Sequence, residues 1–161
     1  RDNRITPIYE GTNSVQAIDL VFRKLINKNG NIIGNYIQLI KKDIEETKKN
    51  GETKLFAEVL NQYLNVLIDF TSWIEKNMKN SKDNVSAACN DYLKVLGLVA
   101  IGYSWLKVLD ISYKEMKNNK IFFEDKIETA KFFFDRILPK TETHYKTAIS
   151  GSKSIMNFKF N

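Results

Sequence analysis

Apolar residues recur along this chain at helical spacing. Val15, Ile18, Val21, Phe22, Leu25 and Ile26 stand at i, i+3, i+6, i+7, i+10 and i+11, which predicts an amphipathic helix over residues 15–28. Asn29-Gly30 stops it, because glycine accepts the left-handed backbone that closes a helix. A second helix starts at Asn31, shows Ile33, Tyr36, Ile37, Ile40 and Ile44 on one face, and ends at Asn50-Gly51. The third buries Leu55, Phe56, Val59, Leu60, Tyr63, Leu64, Leu67, Phe70 and Ile74, and fades in the polar run 76–82.

The fourth helix is expected over residues 85–117. Its apolar character wraps nearly all round between Val95 and Ile101, which predicts a central, well-buried helix. A fifth covers 122–150, with Pro139 inside it to kink or split it. Residues 152–161 read as a short, poorly ordered tail after a bundle of 31–151. No segment alternates with period two. The expected fold is therefore all-α, an antiparallel up-down bundle of long helices joined by short polar loops. There is no internal repeat.

Composition narrows this further. With 161 residues, 43% of them hydrophobic and 12% aromatic, the chain is long and apolar enough to fold around a core. Seven Gly and two Pro are too few for the turns of a β-sandwich or barrel. One cysteine, Cys89, excludes an internal disulfide framework and a cysteine-rich zinc site. It suits a reducing compartment, and a cytoplasmic location is expected. The net charge of +6 admits nucleic acid or an anionic membrane. The lysines, however, alternate with acids (Lys41, Lys42, Asp43, Glu45, Glu46, Lys48, Lys49), as on a solvated helix face. No nucleic-acid partner is expected. The stretch from Val95 to Leu109, broken by Ser104, Lys107 and two glycines, reads as too short to span a bilayer. The chain opens on Arg1-Asp2-Asn3-Arg4 without Met or an apolar leader, so it is expected to be a piece of a longer polypeptide.

One stretch stands apart from the helical pattern. Pro7 biases Thr6 to an extended backbone, Gly11 allows a close approach, and Thr12 or Asn13 is a natural N-cap for the first helix. Glu10 thus sits on a turn just ahead of a helix N-terminus, where free N–H groups favour anions. A carboxylate so placed fits a catalytic base beside a phosphate-bearing ligand. By spacing alone the plainer reading has more weight, a helix-start acid favoured by the macrodipole.

The residues Arg1-Asp2-Asn3-Arg4-Ile5-Thr6-Pro7-Ile8-Tyr9-Glu10-Gly11-Thr12-Asn13-Ser14-Val15-Gln16 resemble the signature R-D-x-[RK]-I-x-x-I-Y-E-G-T-x-x-I-Q near the C-terminal end of acyl-CoA dehydrogenases, with Val15 for Ile the one soft departure. Ala17-Ile18-Asp19-Leu20, Arg23-Lys24 and the later Phe133-Phe134-Asp135-Arg136-Ile137-Leu138-Pro139 are similar to the bacterial branch with a C-terminal helical extension, the methylmercaptopropionyl-CoA dehydrogenase-like enzymes. The resemblance implies that residues 1–28 end the catalytic domain and that 31–151 form the extension. It implies that Glu10 removes the α-proton of an acyl-CoA thioester while the β-hydrogen leaves as hydride to FAD, giving the trans-2-enoyl-CoA. Substrate would raise the Glu10 pKa toward the working pH by burial. Gly11 would lie along the acyl-CoA. Thr12, Asn13 and Ser14 would face FAD, with Gln16 a weaker flavin-side candidate. An electron-transfer flavoprotein-type acceptor and a homo-oligomer are also implied. The family's remaining flavin and substrate elements are missing from these 161 residues, so the chain alone is expected to be inactive and free of FAD.

Other residues read as structural. His144 is the sole histidine and is expected on the surface, without metal or catalytic duty. Cys89, Phe122-Phe123, Phe132 to Phe134, Trp73 and Trp105 fit helix packing, the tryptophans also as partner-facing anchors. Asn84-Val85-Ser86 forms a glycosylation sequon without meaning in a cytosolic protein, and Asp135-Arg136 suggests a local ion pair. The rival to an enzyme fragment is a non-enzymatic helical module whose basic faces meet an acidic partner or membrane.

Overall fold

The computed structural model describes residues 12–25 and 31–157. Every regular element among them is helical, so the all-α expectation holds. In chain order they are α1 (Asn13–Asp19), a π segment (Leu20–Leu25), α2 (Ile32–Thr47), α3 (Lys54–Asn80), α4 (Lys82–Glu115), α5 (Lys120–Phe132), a second π segment (Phe133–Ile137), α6 (Lys140–Ile149) and α7 (Lys153–Met156).

Side-chain caps define several starts. Asn31 opens α2 in the left-handed region (φ 42°), which asparagine tolerates, and its Oδ1 accepts the Gly34 N–H at 3.2 Å. A Cβ on Gly34 would collide with that capping side chain. Ser81 caps α4 through the Asn84 N–H and Asn119 caps α5 through the Phe122 N–H. Helices three and four each extend past their apolar pattern. The polar residues 76–80 remain helical, with Asn77 Nδ2 donating back to the Trp73 carbonyl at 3.0 Å.

The core lies along α4, which packs on α1, α2, α3, α5, α6 and both π segments. Val85, Ala88, Tyr92, Val95, Val99 and Leu109 of α4 meet Leu60, Leu64, Leu67, Phe70 and Ile74 of α3 in one buried cluster. Phe70 stands edge-on to Tyr92 at 5.2 Å and also meets Trp73 and Tyr145. The buried polar atoms are paired. Thr71 gives its proton to the Leu67 carbonyl (2.8 Å), so the Tyr92 hydroxyl donates to Thr71 Oγ1 (2.9 Å). Burial pushes the Tyr92 phenol up to about 12. Gly102 marks a close approach of α4 to its neighbours: a Cβ there would lie 3.0 Å from Leu60 and 3.4 Å from Leu138.

Two sequence expectations need correction, and a third, the break at Pro139, is borne out. The first helix is not one α-helix to residue 28: it widens into a π turn at Leu20, and residues 26–30 lie outside the described residues. Pro139 does divide the fifth helix, through a π turn. The Leu138 N–H reaches the Phe133 carbonyl five residues back at 2.9 Å, which relieves the clash of the proline ring with the carbonyl four residues earlier. The tail is built rather than loose as far as residue 157. Gly151 takes φ 81°, and the following Ser152 gives both its N–H and its hydroxyl to Asn84 Oδ1 at 2.9 Å each, ahead of α7.

The 34-residue α4, which contains Val95 to Leu109, is by length and composition alone long and apolar enough to cross a membrane. Its apolar side chains are the ones around which the bundle packs.

Candidate functional site

The signature residues meet the bundle at α1. Glu10 and Gly11 lie outside the described residues. Thr12 occupies the N-cap position with φ −136° and ψ 15°; its carbonyl accepts the Gln16 N–H at 2.9 Å, but its side chain makes no cap bond. Ala17 and Val21, four residues apart, are fully buried and turn one face of this segment inward. Ser14, three residues ahead of Ala17, shares that face and accepts a hydrogen bond from Asn90 Nδ2 of α4 at 3.3 Å. Gln16 and Val15 point to other sides and are exposed, as are Thr12 and Asn13. The structure therefore brings Thr12, Asn13, Ser14 and Gln16 onto one short, polar, uncovered turn.

Asp19 holds Arg23 through both carboxylate oxygens and Lys24 at 3.5 Å. The Arg23 hydrogen bond lowers the Asp19 carboxyl and raises the guanidinium. The branch-like Arg23-Lys24 pair thus acts locally, closing the turn where α widens to π.

A second concave site escaped the sequence reading. A cleft of about 670 Å³ runs between the C-terminal end of α2 and the C-terminal half of α4. Asp43 Oδ2 accepts from the Tyr103 hydroxyl at 2.5 Å and from Lys107 Nζ at 2.9 Å. Lys107 lies 4.8 Å from the Tyr103 ring centre, and Tyr36 meets that ring edge-on. The Tyr103 hydrogen bond, followed by Lys107, lowers the Asp43 carboxyl; Lys107 is raised by Tyr103 and then by Asp43. Tyr103 is raised by burial and by Asp43. Glu46, Asp110, Lys49 and Lys114 complete a charge-balanced lining. A carboxylate so fully engaged is a poor proton acceptor, so the cluster is a clamp between helices rather than acid–base machinery. The only local cue was the Tyr103–Lys107 spacing of four; the partner stands sixty residues away.

His144 is not a free surface residue, contrary to expectation. It is half-buried, and its Nδ1 donates to Asp91 Oδ1 at 2.8 Å, joining α6 to α4. Cys89 is buried as expected, with Sγ donating to the Val85 carbonyl and its thiol pushed up to about 11 by burial. Asn84 of the sequon faces inward onto Ser152. Phe133 and Phe134 are core, whereas Phe132 is 60% exposed. Trp73 and Trp105 pack against the core. Asp135 and Arg136 are both exposed and form no ion pair with each other among the described residues. No group of three or more metal-ligating residues occurs among the described residues. Lysines pair within their own helices, for example Lys48–Glu45, Lys114–Asp110 and Lys131–Glu128, which is how a solvated face behaves.

Residues 36–159 match the family described as acetyl-CoA dehydrogenase C-terminal like, and the chain belongs to it. The chain is 24% identical over 150 residues to the broad-specificity linear acyl-CoA dehydrogenase FadE5 of Mycobacterium tuberculosis, a match covering 86% of this chain and 24% of that protein. It is also 24% identical over 161 residues to the 3-methylmercaptopropionyl-CoA dehydrogenase of Ruegeria pomeroyi, covering 97% of this chain and 27% of that protein. The chain therefore spans about a quarter of the length of these relatives. The family match begins at Tyr36, so it identifies the helical bundle and not the signature turn.

Proposed function

We propose that this chain is the C-terminal part of an FAD-dependent acyl-CoA dehydrogenase of the cytoplasm. It would contribute the catalytic base, one edge of the flavin site and the helical extension. The observation that supports this most directly is the signature of residues 1–16 running straight into a bundle that belongs to the family. On this reading residues 1–28 close the catalytic domain, 31–151 are the extension and 152–161 the tail.

Glu10 takes the α-proton of the acyl-CoA, Gly11 lies along the acyl-CoA, and Thr12, Asn13 and Ser14 border the flavin, with Gln16 the weaker flavin-side candidate. The described part of that turn fits such a neighbour, because all four residues are polar and exposed. When bound, FAD supplies the acceptor for the β-hydrogen. Developing charge on the thioester oxygen needs preorganised donors, to which the Glu10 backbone N–H contributes. Reduced enzyme passes its electrons to an electron-transfer flavoprotein-type acceptor, and the enzyme is a homo-oligomer.

The test is Glu10→Gln in the full-length enzyme. The amide keeps the size of the side chain but cannot take the proton. Flavin bleaching by acyl-CoA in a single turnover is expected to slow by roughly 10²- to 10⁴-fold with FAD still bound. Bleaching at close to the parent rate overturns Glu10 as the base. A yellow preparation of residues 1–161 alone overturns the incompleteness of the site.

A further inference from the structure

We infer that Asn90, in the helical extension, is a positioning residue for the flavin-side turn, acting through Ser14. The inference rests on the reading of Thr12 to Gln16 as the flavin border.

The first turn of α1 has no apolar anchor of its own. Thr12 to Gln16 are exposed, and burial begins only at Ala17. Val15, the one apolar residue among them, is 63% exposed. Among the described residues, the Asn90 Nδ2 bond to Ser14 Oγ ties that turn to the bundle across 76 residues of sequence. Both side chains of this bond are exposed and 3.3 Å apart, but Asn90 stands on a packed stretch of α4. Its neighbours Ala88, Cys89 and Tyr92 are buried, and the next residue, Asp91, is held by His144 of α6 at 2.8 Å. The polarity also suits the role. Asn90 donates, so Ser14 accepts and keeps its own proton for another partner. The extension thereby sets where Thr12 and Asn13 stand, without touching the ligand they face.

The experiment uses the full-length enzyme and reads the FAD dissociation constant by flavin fluorescence. Asn90→Ala is expected to weaken FAD roughly two- to twelve-fold, the range for a lost neutral hydrogen bond. The melting temperature of the FAD-free enzyme and the KM for acyl-CoA should stay unchanged. Asn90→Gln, which keeps the donor, should recover part of the loss. Ser14→Ala should weaken FAD by a similar factor, and the double variant should be no worse than either single one. If Ser14→Ala weakens FAD but Asn90→Ala does not, or if the two effects multiply, the inference is overturned while the flavin border stands. If Ser14→Ala leaves FAD affinity intact, the flavin-border reading of Ser14 fails first and takes the inference with it.

Discussion

The junction of α3 with α4 and the first helix against α4 are both helix-on-helix contacts, yet they are built in opposite ways. Between α3 and α4, every turn of α3 from Ala57 to Ile74 contributes a fully buried side chain, and the Thr71 and Tyr92 hydroxyls inside are paired. α1 and its π extension contribute two fully buried residues, Ala17 and Val21, and leave Val15 and Ile18 63% and 47% exposed. One contact carries its own stability. The other holds a short segment in place, with Leu20, Phe22 and Leu25 only partly buried against the core and Val15 and Ile18 left exposed.

The contrast can be broken most forcefully at Phe70. Phe70→Ala empties the site shared by Trp73, Tyr92 and Tyr145 and should cost about 3–5 kcal/mol in urea unfolding of the 161-residue chain. A loss below 1 kcal/mol would mean that the junction is not the stabilising contact. Next comes Gly102→Val. Leu60 and Leu138 leave no room for a branched side chain, so overpacking should cost about 1–3 kcal/mol. Its counterpart on the same helix is Gly97, where a Cβ meets nothing within 4 Å. Gly97→Ala should stabilise by roughly 0.5–1 kcal/mol through helix propensity.

Tyr92→Phe tests the buried hydrogen bond and should cost about 1 kcal/mol at neutral pH. It also changes the alkaline behaviour. The folded Tyr92 pKa is raised above its ordinary value near 10, to about 12, so its contribution is complete below pH 10 and is lost as pH rises toward 12. Asp43 has the opposite sign. Its lowered carboxyl contributes above the ordinary carboxylate range and is lost as pH falls through its folded value. Denaturation curves at pH 7 and pH 11 should therefore converge for Tyr92→Phe relative to the parent. The smallest effect belongs to the other contact. Val15→Ser and Ile18→Ser should each shift the stability of this chain by less than about 0.5 kcal/mol, because both side chains are already in water.

The long helices were legible because burial repeats every three or four residues. Leu60, Leu64, Leu67, Phe70 and Ile74 mark α3, and the wrapped apolar run of α4 marked the central helix, although within Val95–Ile101 only Val95 and Val99 are buried and Ile101 is 48% exposed. What escaped depends on residues distant in sequence. His144 looked exposed because Asp91 is 53 positions away, and Asp43 looked like one charge among many because Tyr103 and Lys107 reach it from another helix. The tail after Gly151 is tied to the bundle by Asn84, which reads as a sequon but offers an oxygen to Ser152. Pro139 announced a break but not its form: a proline can kink a helix in several ways, and only the bond from Leu138 to Phe133 shows that a wider turn was chosen.

That wider turn sets the phase of everything after it. One extra residue in a helical turn rotates the following side chains by about 100° around the axis. The inward placement of Thr141 and Ala148 and the reach of His144 to Asp91 are therefore in phase with α4 because of residues 133–137. Deleting a single residue there would leave α6 helical in composition and length, yet present a different side of it to the bundle, as a gear shifted by one tooth still turns but no longer meshes with the same partner.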